Sequence, residues 1–166
     1  MGASESPPPA HGFDTAAPAT PTDRSGYKVK HQVGHLLRRA YQRHIAIFQE
    51  RIPDSQLTMP QFVTLCAVRD LRACSLNEIV AETSIDQATI RGVVERLVSR
   101  KLLAVAADAQ DKRKVSISLT ATGTRFLAQI IDTAEVVSDE TFGELNAAER
   151  VALVFLLKKM CGLASE

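Results

Sequence analysis

The sequence predicts a mainly α fold with a small β hairpin and about six helices. Three observations predict it. Two capped helical patterns follow one another between Ser75 and Val98 with only a tight turn between them. Two strand-like runs, Leu102–Val105 and Val115–Leu119, come next and bracket a charged loop. Long amphipathic helical patterns flank this stretch on both sides. A helix, a turn, a helix and a two-stranded wing make a winged helix-turn-helix, an arrangement suited to reading DNA.

Taken in order, residues 1–25 hold five prolines among Ala, Ser and Thr, a composition that supports no core. A disordered tail is therefore expected over residues 1–26. Val29 to about Glu50 reads as one long helix. Its apolar residues, Val33, Leu36, Leu37, Ala40, Tyr41, Ile45, Ile47 and Phe48, cover more than one stripe, as for a helix touching both its own domain and a second subunit. His31, His35, Arg38 and Gln42 fall on another line of that helix. Such a row could hold a carboxylate, with Arg38 binding it through two nitrogens; it could equally be a solvated stripe. Pro53 ends the region. Thr58-Met59-Pro60-Gln61 opens a second helix with a capping box and an early proline. Its inner face is Phe62, Leu65, Cys66, Val68 and Leu71, with Arg69 near its C-terminal end.

Ser75-Leu76-Asn77-Glu78 is a further capping box, and Leu76, Ile79 and Val80 share one face of the short helix it starts. That helix runs out near Thr83-Ser84. Asp86 caps the next, with Ile85 as a hydrophobic staple. Ile90, Val93, Val94, Leu97 and Val98 form its expected inner face. Gln87, Ala88, Thr89, Arg91 and Gly92 lie outside that face near the N-terminus, and Arg96 lies further along. Short polar or cationic side chains at this end are what a helix needs to read base edges in the major groove. Arg91 suits guanine and Gln87 suits adenine; the bland alternative is an ordinary solvated face. In the loop between the strands, Lys112, Arg113 and Lys114 suit a phosphate backbone or a minor groove. Asp108 and Asp111 would shape the turn, although charged hairpin tips are common without any ligand.

Thr120 caps a helix from Ala121 into the early 140s, with Phe126, Leu127, Ile130, Ile131, Ala134 and Val137 on one side. Asn146-Ala-Ala-Glu149 starts a last helix. Its Val151, Leu153, Val154, Phe155, Leu156, Leu157 and Met160 are too much apolar surface for an exposed chain end. A homodimer would bury it. The expected organisation is a DNA-binding segment at 57–120 and dimerisation helices at 27–56 and 121–166.

The net charge of +1 hides an uneven distribution. Residues 1–23 carry three acids and no Lys or Arg, whereas 86–116 carry seven cations and four acids. A local basic patch is enough for phosphate contacts. No run approaches the length of a membrane span, and the N-terminus shows no secretory signal pattern, so the cytoplasm is expected, with the nucleoid as the destination when DNA is bound. Cys66, Cys74 and Cys161 have neither paired nor zinc-ligand spacing, so no metal or disulfide is expected. No nucleophile, phosphate-loop or metal-hydrolase motif occurs, which argues against an enzyme. A winged module that binds protein would show an apolar reading face and a neutral wing, unlike this chain.

The order of elements, the segment IDQATIRGVVERLVSRKLL, and the wing D-x-x-D-K-R-K-V followed by S-L-T-A-T-G together resemble the MarR family of bacterial transcription regulators. The resemblance spans about Val29 to Leu163. The family's wing is usually D-x-R-D-x-R or D-P-x-D-R-R; here Gln110 stands where many members have Arg, which leaves Lys112 and Arg113 as candidates for the minor groove. The resemblance implies a dimeric repressor of catabolic genes on a palindromic operator. It also implies a ligand crevice between the first two helices and the base of the fifth. His31, His35, Arg38, Met59, Phe62, Cys66 and Arg69 lie in the elements that would line it. Cations beside a flat apolar wall suit an aromatic carboxylate. Similarity to family members that govern aromatic and N-heteroaromatic acid catabolism implies a hydroxylated nicotinic acid as the first effector to try; no other cofactor is implied. Thiol-based sensors also occur in the family, but their reactive cysteine lies near the start of the first helix, where this chain has none.

Overall fold

The computed structural model describes residues 26–107 and 115–163. A 3-10 turn at Val29–His31 leads into α1 (Val33–Arg51), α2 (Met59–Leu71) and a short strand β1 (Ala73–Cys74). Helices α3 (Leu76–Thr83) and α4 (Gln87–Ser99), strands β2 (Leu103–Ala107) and β3 (Val115–Leu119), and helices α5 (Ala121–Phe142) and α6 (Ala147–Met160) complete the order. The Pro-rich tail and the wing tip, with Lys112, Arg113 and Lys114, lie outside the described residues.

The helix starts are where the caps put them. The Ser75 N–H donates to the Glu78 carboxylate at 2.7 Å, and the Glu78 N–H returns to Ser75 Oγ at 3.3 Å. Asn146 and Glu149 exchange the same pair of bonds at 2.9 and 3.1 Å. Each box satisfies N–H groups that the first helical turn leaves unpaired. Ser84, with φ of 54°, ends α3 in the left-handed region and turns the chain toward α4.

Strand β3 is central in a three-stranded antiparallel sheet of order β1-β3-β2. Its buried Ile117 lies opposite Val105 on one side and Cys74 on the other. The sequence pattern predicts only the β2–β3 hairpin, because a two-residue strand offers no alternation to detect. Helices α2 and α4 pack on this sheet, and α3 packs against both of them. Leu65, Val68, Ile79, Ile90, Val93 and Leu97 are all essentially inaccessible to solvent, and Leu127 and Ile130 of α5 complete the same core. Val98, expected on the inner face, is instead exposed. It lies one residue beyond Leu97, at the edge of the buried arc.

A close approach locks α5 onto this unit. The Thr120 hydroxyl donates to the Lys101 carbonyl at 2.7 Å and accepts from the Gly123 N–H at 2.9 Å. A Cβ at Gly123 would sit 2.0 Å from the Leu102 carbonyl oxygen, so only glycine lets the helix start here.

The long first helix is shorter than expected. Gln32 adopts extended geometry, φ −80° and ψ 136°, and separates the 3-10 turn from α1. His31 therefore leaves the line of His35, Arg38 and Gln42, because the 3.6-residue period on which that alignment rests is broken. Farther along, α1 is fastened to the end of α5. Arg43 donates to the Glu140 carbonyl at 3.0 Å, and Arg51 pairs with the Glu140 carboxylate at 2.8 Å. His44 Nδ1 lies 2.8 Å from Thr141 Oγ1, which itself donates to the Val137 carbonyl at 2.7 Å.

Candidate DNA-reading face and effector site

The N-terminal edge of α4 is built to present side chains. Asp86 accepts from the Thr89 N–H at 2.9 Å and from the Thr89 hydroxyl at 2.6 Å. These bonds hold the Asp86 carboxyl below its ordinary range, so it stays ionised as a cap. The Thr89 hydroxyl proton is thereby committed to the cap, and what Thr89 offers outward is its methyl group and an acceptor. Gln87 donates through Nε2 to Asn77 Oδ1 of α3 at 3.3 Å. One amide hydrogen and the carbonyl oxygen of Gln87 remain available to a base. Ala88 and Arg91 are exposed, and Arg91 makes no ion pair among the described residues. Gly92 is half-buried. A Cβ there would lie 3.6 Å from an Arg96 guanidinium nitrogen, in ordinary contact, so Arg96 lies back along the helix over Gly92. The described arms of the wing add small exposed residues, Ala104, Ala106 and Ala107.

Asn77 is the residue that sequence reasoning passed over. It is an exposed position on an eight-residue helix, and nothing local marks it. Its role comes from the crossing of α3 and α4, which brings it to Gln87 ten residues away.

The expected effector residues are more dispersed. His35 is half-buried and Arg38 exposed on α1, while His31 sits on the preceding turn. Met59 is buried in the core. Phe62 packs its ring against Phe48, with centroids 5.4 Å apart. Cys66 is half-buried, and burial pushes its thiol pKa up. Arg69 pairs with its neighbour Asp70 at 2.8 Å. Among the described residues, no hydrogen bond, ion pair or ring contact joins His31, His35 or Arg38 to Met59, Phe62, Cys66 or Arg69. Two concavities lie elsewhere. One, of about 640 Å³, is bounded by Ala73–Glu78 with Val115 and Ser116. The other, of about 150 Å³, sits beside Gln49, Ile52, Asp54 and Thr58. Cys66 and Cys74 give little support to redox chemistry: burial also raises the Cys74 thiol, and a raised pKa leaves less of the reactive thiolate.

Around this unit a large apolar surface stays open. No residue of α6 is buried; Val151 is 72% exposed and Phe155 50%. On α1, Val33, Leu36 and Tyr41 are more than half exposed. Such a surface is the mark of an interface.

A capped reading helix, a short supporting helix and a β wing on a helical frame define the chain as a winged helix-turn-helix protein. Comparison with known proteins gives the family. Residues 57–115 match the MarR family. The chain is 51% identical over 146 residues to the HTH-type transcriptional repressor NicR of Pseudomonas putida, covering 88% of this chain and 92% of that protein. It is 59% identical to BpsR of Bordetella bronchiseptica, with a TM-score of 0.77 over 81% of this chain and 96% of that structure. The DNA binding of that protein is regulated by 6-hydroxynicotinic acid. A cysteine-to-serine variant of MarR from Escherichia coli, solved with operator DNA, is 26% identical, with a TM-score of 0.71 over 76% of this chain and 91% of that one. The chain belongs to the MarR family. None of its described helices is long and apolar enough to cross a membrane.

Proposed function

We propose that this protein is a homodimeric transcriptional repressor, bound to a palindromic operator and released from it by 6-hydroxynicotinic acid or a closely related heteroaromatic carboxylate. One observation carries the reading: 59% identity to BpsR over nearly the whole of that chain. The geometry of α4 supports it, since Gln87, Ala88, Thr89, Arg91 and Gly92 lie on its exposed N-terminal half, with Arg96 laid along the same surface.

In this reading, residues 57–120 are the DNA-binding unit, with Arg91 and Gln87 reading bases and Lys112, Arg113 and Lys114 on the phosphate backbone or in the minor groove. Residues 27–56 and 121–166 hold two copies together, covering the apolar faces of α1 and α6. The paired reading helices must lie roughly 34 Å apart to enter successive major grooves. The effector carboxylate is taken by Arg38 with His35, and its ring lies toward Phe62, Met59 and Cys66. His31 and Arg69 stand at the margins of this site. Because one subunit leaves these residues apart, the crevice is completed by the closing of α1 against α2 in the dimer. To release DNA, the effector need only prefer the wrong spacing by about 1–3 kcal/mol, a usual coupling energy. The protein acts in the cytoplasm, on chromosomal DNA, and catalyses nothing.

Fluorescence anisotropy on the DNA upstream of the protein's own gene, with nicotinate, 6-hydroxynicotinate and benzoate added in turn, tests this. Tight, salt-dependent binding reversed by 6-hydroxynicotinate alone is the expected result. Binding untouched by every acid would remove the carboxylate site. Arg38→Ala is expected to keep operator binding and lose the response; a normal response would place the pocket elsewhere.

A further inference from the structure

The C-terminal end of the reading helix carries an ionic joint that none of the motifs above requires. Arg100, the residue that closes α4, reaches out of the helix-turn-helix in two directions. Its guanidinium pairs with the carboxylate of Asp54, in the connection between α1 and α2, 46 residues earlier in the chain. The same guanidinium lies over the ring of Phe126, on α5, 5.4 Å from its centroid. Both partners of the ion pair are about three-quarters covered, at 25% and 23% exposure, and one Arg100 nitrogen is fully buried. Asp54 is held for the task, because its other oxygen accepts from the Gln56 N–H at 2.9 Å. Next to this joint, Lys101 takes a left-handed φ of 58° and its carbonyl receives the Thr120 hydroxyl. The end of α4, the start of α5 and the α1–α2 connection therefore meet at one place.

We propose that Arg100 is a positioning residue for operator recognition: anchored by Asp54 and Phe126, it sets the angle of the reading helix relative to the helices that join the subunits. The proposal rests on the DNA-binding reading above. Its physical basis is leverage. Arg91 lies nine residues from Arg100, about 14 Å along the helix at 1.5 Å per residue, so a tilt of about 10° at the joint displaces the reading end by about 2 Å. A displacement of that size exceeds the tolerance of a bidentate contact to a base edge. In a dimer both helices would tilt, and the separation of the two reading ends would lose its definition. Phosphate attraction, being long-ranged, would survive.

The test separates angle from mere stability. The full-length protein selects its operator from a random 30-base-pair duplex pool. Affinity is then measured for that operator, for the same operator with one base pair inserted at its centre, and for random DNA. Variants are Arg100→Gln, Asp54→Asn, both together, and Arg100→Lys; thermal melting of each confirms a folded protein. We expect Arg100→Gln and Asp54→Asn each to lower the preference for native over inserted spacing by about 10-fold, with no further loss in the double variant, since both remove one interaction. Random-DNA affinity should change less than about 2-fold, and Arg100→Lys, which keeps the charge, should restore part of the preference. Unchanged spacing preference in Asp54→Asn, which keeps the turn, overturns the proposal even if Arg100→Gln misfolds. Equal losses on operator and random DNA also overturn it. A wild-type protein that selects no operator would instead overturn the DNA-binding reading, and this inference with it.

Discussion

Two halves of this molecule treat apolar side chains in opposite ways. Helix α4 buries Ile90, Val93, Val94 and Leu97 within its own subunit and presents a polar edge to solvent. Helix α6 is as rich in large apolar residues, yet buries none of them. The difference is one of completion. The unit around residues 57–130 has its sheet, its packed helices and a core that Phe48 and Ile52 complete from the first-helix region. Helix α6 leaves its apolar residues open, the surface that the proposed homodimer would cover with a second copy. In the proposed function, the α4 edge rests on a platform formed within one chain, and the spacing between two such edges is set by assembly.

The largest expected effect comes from keeping the halves unlike in structure but forcing them apart in function. Phe155→Asp combined with Leu156→Asp places two carboxylates in the open face of α6. Sedimentation should show monomers, and operator affinity should fall about 1,000-fold, or ~4 kcal/mol, as two linked half-sites become one. A dimer with normal affinity would mean that α6 is not the interface. Next comes a change inside the finished unit. Gly123→Ala forces a Cβ onto the Leu102 carbonyl and should lower stability by about 3 kcal/mol in urea unfolding. A small loss would show that α5 can slide, and that the closed unit is looser than its contacts imply.

A smaller effect probes the polar edge alone. Arg91→Ala should cost about 2 kcal/mol on the operator and relax base preference at one position, with melting unchanged. Equal weakening on random DNA would assign Arg91 to phosphate. The smallest effect concerns the seam where the halves join. Burial lowers the His44 pKa below its ordinary 6.5, so folding favours the neutral ring. The unfolded chain then binds the proton more readily, and stability rises with pH until His44 is neutral in both states. The contribution is whole above about pH 6.5 and shrinks as the pH falls toward the folded pKa. His44→Gln should flatten this slope between pH 5 and about 6.5 in thermal melts. An unchanged slope would place the acid sensitivity on another group.

Much of this architecture was legible before any coordinates. Ser75, Asp86, Thr120 and Asn146 announce their helices because a cap is an interaction between residues three apart. The run Val115–Leu119 announces its strand because alternation is also local. The exposed edge Gln87–Gly92 of α4 follows from its cap and its inner stripe. His31 was misplaced because periodicity carries through an interruption that only backbone angles reveal, here the extended Gln32. Val98 was misplaced because a helical wheel does not say how wide the buried arc is.

What the sequence by itself determined is the set of elements, their order and the chemistry each can present, since all of these are written in neighbours along the chain. What only the tertiary structure decided is which of those groups meet: Asn77 with Gln87, Gly123 with Leu102, Arg43 with the end of α5, and Arg100 with Asp54 and Phe126. Such meetings depend on how helices cross, and crossing is settled by the packing of a whole core, to which no single stretch of sequence holds the answer.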